Sequence, residues 1–111
     1  MKIKLYPVSR EETLALHKSG DTLTVNGQAF DFSRVAEGDT LPATAIASKW
    51  FVGVVERVAG DLEMTVILPI QSNYSPEQAF PADLVGIPDG PVFLPQPLPE
   101  TVNPSEEVAD E

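Results

Sequence analysis

Apolar and polar positions alternate with a period of two through short runs across residues 1–94, and turn residues separate the runs. Residues 13–18 (Thr-Leu-Ala-Leu-His-Lys) lead through Ser19-Gly20-Asp21 into Thr22-Leu23-Thr24-Val25. Asn26-Gly27 follows, the strongest short hairpin signal, because both residues tolerate positive φ. A two-residue turn there sets Leu23 opposite Phe30 and Thr22 opposite Asp31 in the returning run Gln28–Phe32. One face of this meander then carries Leu14, Leu16, Leu23, Val25, Phe30 and Phe32 as core. The other carries Thr13, Ala15, His17, Thr22, Thr24 and Asp31 towards water.

A second hairpin runs from Trp50–Val58 through Ala59-Gly60-Asp61 into Leu62–Leu68. Phe51, Val55, Leu62, Met64, Val66 and Leu68 share one side, with Gly53 between the first two. Glu56, Glu63 and Thr65 make the opposite side polar near the turn, but Trp50, Val52, Val54 and Ile67 make it apolar at the far end. That second apolar patch needs a cover: another sheet layer, the proline-rich segment, or a partner. A third hairpin is expected at residues 84–94, turning on Pro88-Asp89-Gly90, with Pro91 on a strand edge because it cannot donate to a ladder. Residues 33–48 are expected to be non-β, with a short helix or 3₁₀ turn near 42–47 that Pro42 opens.

The fold expected from this pattern is all-β and mainly antiparallel, a small sandwich or partly open barrel of hairpins. Leu14, Leu16, Leu23, Phe30, Phe51, Val55, Met64, Val66 and Leu68 are expected to be buried together. A chain of 111 residues is long enough for one such core.

Charge and proline change the picture past residue 57. All seven basic residues lie in the first 57 positions with seven acids, whereas 58–111 carry ten acids and no base, which is the whole net charge of −10. Nine of the eleven prolines fall from Pro69 onward. The domain is therefore expected to span 1–94, and 95–111 to be a proline-rich, acidic, disordered tail with too little apolar content to offset its ordering entropy. Binding to nucleic acid or to a membrane surface is not expected, since both need clustered Lys and Arg. The start, Met1–Pro7, has no secretory apolar region, so the chain is expected in the cytoplasm.

Candidate chemistry is sparse. Without cysteine, and with His17 as the one histidine, thiolate sites and multi-histidine metal sites are excluded. His17 lies among threonines without a nucleophile or an orienting acid nearby. Glu11, Glu12 and Asp31 lack the spacing of a calcium loop. Asn73-Tyr74-Ser75 fits a glycosylation triplet but reads as a loop in a chain without a leader. No catalytic, cofactor-binding or metal-binding residue is assigned, and an enzyme is not expected. The candidate partner surface is Trp50, Val52, Val54 and Ile67, since Trp-centred apolar patches anchor interfaces.

The stretch Trp50-Phe51-Val52-Gly53-x-Val55-Glu56-Arg57-x-x-Gly60-x-Leu62 and the later Gly90-Pro91-Val92-x-Leu94-Pro95 resemble a group of small proteins from the late, tail and tail-fibre region of tailed phages and prophages. Met1-Lys2-Ile3 and Asn26-Gly27-x-x-Phe30-Asp31-Phe32-Ser33 fit the same resemblance, which spans roughly residues 1–95 and brings no catalytic motif. It implies a non-enzymatic protein in the bacterial host cytoplasm or the virion. Such a protein would bind a phage structural or assembly protein, in tail assembly or as a minor virion component, with a weak homodimer as a further expectation. The alternative is an acidic host-directed inhibitor that covers a basic protein surface.

Overall fold

The computed structural model describes residues 1–98 and folds them as two four-stranded sheets on one core. The strands are β1 (Lys2–Ser9), β2 (Leu16–Ser19), β3 (Thr22–Val25), β4 (Gln28–Asp31), β5 (Thr40–Pro42), β6 (Phe51–Val58), β7 (Asp61–Ile70) and β8 (Gly90–Pro91). The first sheet has the order β1-β7-β6-β5 and the second β4-β3-β2-β8. Every pairing is antiparallel except β1 with β7. The all-β, mainly antiparallel expectation holds in a sandwich-like form, and the sheets do not close into a barrel.

Turn chemistry places both central hairpins. Asn26 and Gly27 have φ of 50° and 86°, the left-handed pair that a two-residue hairpin turn requires. Leu23 accordingly stands opposite Phe30 and Thr22 opposite Asp31. The Asn26 side chain also accepts from the Ala15 N–H at 2.7 Å and donates to the Thr13 carbonyl at 3.0 Å. These bonds hold residues 13–15 outside the ladder, so β2 begins only at Leu16. In the second hairpin Val58 pairs with Asp61, which makes Ala59 and Gly60 the turn.

β6 carries a bulge. Val52 faces Thr65 and Glu56 faces Glu63, so residues 53–55 stand against Met64 alone. Gly53, at φ 74°, supplies the left-handed residue. Two surplus residues preserve the two-residue alternation, and this is why Phe51 and Val55 still share the core face.

The core joins both sheets. Ile3, Leu5, Leu62, Met64, Val66 and Leu68 face Leu16, Leu23, Val25 and Phe32, all buried. Phe51 of the first sheet meets Phe30 and Phe32 of the second edge-on, with ring centroids 5.2 and 5.7 Å apart. Each fully buried aliphatic side chain, such as Leu23 or Val66, contributes about 1.5–3 kcal/mol. Arg57 ties the sheets together outside the core, donating to Asp21 Oδ2 at 3.1 Å, to the Gly60 carbonyl at 3.2 Å and to the Val35 carbonyl.

Three local expectations need correction. The stretch 33–48 is not wholly non-β, because Thr40–Pro42 pairs with Glu56–Val54 as β5 before the 3₁₀ turn Ala43–Ala45. That turn falls where the helical segment near 42–47 was expected, but Pro42 precedes it in extended conformation and no side chain caps it. Residues 84–94 do not form a hairpin. Leu84 exchanges two backbone hydrogen bonds with Ile3 on the edge of the first sheet, and Gly90-Pro91 pairs with β2 on the edge of the second. The cause lies in Asp89, whose carboxylate accepts from Lys18 Nζ at 2.7 Å and the Gly20 N–H at 3.1 Å. The Pro88-Asp89-Gly90 turn is thereby bound to the β2–β3 turn. Pro91 does lie on a sheet edge.

A four-residue helix, α1 (Pro76–Ala79), interrupts the loop after β7; a reciprocal capping box between Ser75 and Gln78 closes its first turn. Past Leu94, where the sequence places the end of the domain, the chain still bonds to this loop. The Ser75 hydroxyl donates to the Gln96 carbonyl at 2.6 Å, and Asn73 and Leu98 exchange bonds of 2.9 and 3.0 Å. The rest of the expected acidic tail lies outside the described residues.

Candidate functional site

The four patch residues divide. Trp50 and Ile67 are buried, at 8 % and 7 % exposure; Val52 is half-buried and Val54 is 41 % exposed. Trp50 and Ile67 lie side by side, the Ile67 N–H donating to the Trp50 carbonyl at 2.8 Å. Val54 sits apart on the bulge, opposite Pro42. The structure therefore brings Trp50 and Ile67 together and leaves Val54 in solvent.

The described part of the proline-rich segment, residues 95–98, bonds to Asn73 and Ser75. Residues 94–98 run along the 71–78 loop and enclose with it a cleft of about 570 Å³, floored by Leu14 and Leu68. What lies over the indole is charged. The Arg10 guanidinium and the Lys49 ammonium stand 5.8 and 5.6 Å from the Trp50 ring centroid, within cation–π range. Glu12 pairs with both, through Arg10 Nη1 at 3.5 Å and through Lys49 Nζ. The Lys49 hydrogen bond is the main cause that holds the Glu12 carboxyl below its usual value, with the charges of Lys49 and Arg10 adding to it. Arg10 is placed by its own N–H, which donates to the Ile70 carbonyl and prolongs the β1–β7 pairing by one step.

The parallel strand β1 extends this face. Lys2, Lys4 and Tyr6 alternate with the buried Ile3 and Leu5, and stand beside Glu63, Thr65 and Ile67 of β7. Across the outer side of the first sheet the rows read Lys2–Glu63–Glu56, then Lys4–Thr65–Val52, then Tyr6–Ile67–Trp50. The face passes from charged at the hairpin tip to aromatic at the other end. Tyr6 is 54 % exposed.

The most exposed apolar side chains among the described residues lie elsewhere. Phe80 and Phe93 are each 87 % exposed and Val85 is 65 % exposed. Phe80 ends α1, and Phe93 follows the point where the Val92 N–H bonds to the Leu16 carbonyl. Sequence reasoning assigned Phe93 to a hairpin strand and missed both as surface groups. The signal available was the prolines around them, Pro81 directly after Phe80 and Pro91 and Pro95 two residues either side of Phe93, where regular pairing breaks off.

Of the remaining candidates, His17 is exposed on β2 opposite Thr24 and Pro91. Glu12 is engaged by Lys49 and Arg10, and Asp31 Oδ1 accepts from the Ser33 N–H at 2.9 Å. Two of the three acids of the expected charge cluster, Glu12 and Asp31, thus serve local structure. Comparisons with protein-family models, with curated proteins and with solved structures return no match for this chain.

Proposed function

We propose that this chain is a non-enzymatic protein-binding component of a tailed phage or prophage, acting in tail assembly or as a minor virion component. It would be made in the bacterial host cytoplasm and act there or in the particle. The observation that carries the binding part is the exposure of Phe80 and Phe93, each 87 % open to water. A phenylalanine left in water forgoes about 1.5–3 kcal/mol of burial, and this chain buries comparable groups efficiently elsewhere. Side chains of this kind are typical anchors in protein interfaces.

The acidic-inhibitor reading draws less support from the described residues. Of the acids between 58 and 98, Asp61, Asp83 and Asp89 are paired with the N-terminal ammonium, Lys2 and Lys18. Their charge is spent within the domain instead of being offered to a partner.

Particles purified on a density gradient from a host that makes this chain test the proposal. The expected result is co-sedimentation of the chain with assembled particles or with tail intermediates. Its recovery only in the soluble fraction at the top of the gradient would contradict it.

A further inference from the structure

The Asn26-Gly27 turn sets a side-chain amide beside an unobstructed backbone nitrogen. In an Asn-Gly pair that nitrogen can attack the amide carbon, because glycine brings no side chain to block the approach. Gly27 lies between the paired Val25 and Gln28, outside the ladder, and its N–H makes no hydrogen bond among the described residues. Nothing stands within 4 Å of where a Cβ on Gly27 would lie, and Asn26 is itself exposed. What is held is the Asn26 side chain. Its Oδ1 accepts the Ala15 N–H at 2.7 Å and its Nδ2 donates to the Thr13 carbonyl at 3.0 Å, while the Asn26 N–H donates to the Ala15 carbonyl at 2.9 Å. Turning the amide carbon onto the Gly27 nitrogen breaks both side-chain bonds.

We propose that Asn26 is a site of spontaneous deamidation, held in check in the folded chain by its bonds to residues 13–15. The Gly27 nitrogen gives up its proton and bonds to Asn26 Cγ. The Cγ–Nδ2 bond breaks, and the side-chain nitrogen leaves as ammonia with that proton. Water then opens the cyclic imide at either carbonyl, leaving aspartate or isoaspartate, with nothing oxidised or reduced. The native rate is the intrinsic rate scaled by the fraction of time for which the clamp is open.

Either product ends the clamp. A carboxylate has no hydrogen to give to the Thr13 carbonyl, and the two oxygens are left facing each other. Isoaspartate also lengthens the main chain by a methylene, inside a turn that is fixed at two residues. Thr13 and Leu14 line the cleft that residues 94–98 enclose, so conversion loosens one wall of that cleft.

Peptide mapping by mass spectrometry, with separation of aspartate from isoaspartate, tests the proposal on the full chain in mildly alkaline buffer and in the same buffer with urea. Residue 26 is expected to convert in both, at least about tenfold more slowly in the native chain. The melting temperature of Asn26→Asp is expected to lie below that of the wild type. The gap should narrow between about pH 6 and 3, as the carboxyl regains a proton that it can give to Thr13. No conversion in urea, a native rate equal to the rate in urea, or a gap that does not narrow on acidification would overturn the proposal.

Discussion

Glu37 bridges to Arg57 of β6 beside the hairpin tip, where its carboxylate accepts the Ala59 N–H at 2.9 Å and the Gly60 N–H at 2.8 Å. Ala59 has φ of 53°, a left-handed conformation that costs a residue with a Cβ about 1–2 kcal/mol. The two adjacent N–H groups form a small anion-binding concavity, and the charge-assisted bonds to Glu37 offset the strain. This is how a sequence without Asn-Gly at that position still makes a two-residue turn.

Ala59→Asn should therefore stabilise the protein by about 0.5–1 kcal/mol, because asparagine tolerates the left-handed region and keeps the N–H that Glu37 binds. Urea unfolding monitored by circular dichroism measures it. A loss of stability in this variant would contradict the account of the turn.

Glu37→Ala should cost about 1–2 kcal/mol by removing both bonds at once. In an Ala59→Asn background the cost should fall, since less strain remains to be offset. Equal costs in the two backgrounds, compared by double-mutant cycle, would show that the two residues act independently.

Four carboxyls are held below their usual values in the folded state. The hydrogen bond from the N-terminal ammonium is the main cause at Asp61, those from Lys18 and the Gly20 N–H at Asp89, that from Lys49 at Glu12, and the backbone bond from Ser33 at Asp31. A folded-state value below the unfolded one means that the unfolded chain binds more protons, so stability rises with pH there. The contribution is complete above the ordinary values of 3.8 for Asp and 4.5 for Glu, and is lost as pH falls through the lowered ones. The melting temperature should be level between about pH 7 and 5 and drop between about pH 4.5 and 3. Asp89→Asn should soften that drop, and about 0.5 M salt should soften it further because these groups are exposed. A melting temperature that rises on acidification through this window would contradict the assignment.

The divided patch gives two substitutions of opposite consequence. Val54→Asp places a charge on a residue 41 % exposed at the bulge and should change stability by less than about 1 kcal/mol. Ile67→Asp places an unpaired carboxylate where exposure is 7 % and should cost several kcal/mol or unfold the domain. Thermal melts of both, side by side, check this. A severe loss in Val54→Asp would mean that the exposed valine is covered.

Much of this fold is legible in alternation and turn chemistry. Asn26-Gly27 sets the Leu23–Phe30 pairing, and the faces of residues 50–68 follow from parity, which the bulge at Gly53 leaves intact. The strand β1 shows the same signal, Ile3 and Leu5 alternating with Lys2, Lys4 and Tyr6, yet nothing local says what it pairs with. Its partner β7 lies about sixty residues away in parallel register, and such pairing depends on the whole connection between them. The 84–94 stretch misleads because Pro88-Asp89-Gly90 is a sound turn signal. Its flanks separate because each finds another edge, Leu84 at Ile3 and Gly90-Pro91 at β2, with Asp89 bonded to Lys18. The alternation shows Trp50, Val52, Val54 and Ile67 as an apolar set, but the cover of Trp50 by Arg10, Glu12 and Lys49 joins loops distant in sequence and has no periodic signature.

Phe80→Ser/Phe93→Ser tests the binding role most directly, because both side chains are 87 % exposed and their loss should leave the fold intact. The measurement is the fraction of the chain that co-sediments with particles on a density gradient, in cells that carry the wild type or the double variant at equal level. The account predicts that the variant melts within about 1 kcal/mol of the wild type and falls to background in the particle fraction. A folded variant recovered with particles as fully as the wild type would contradict it.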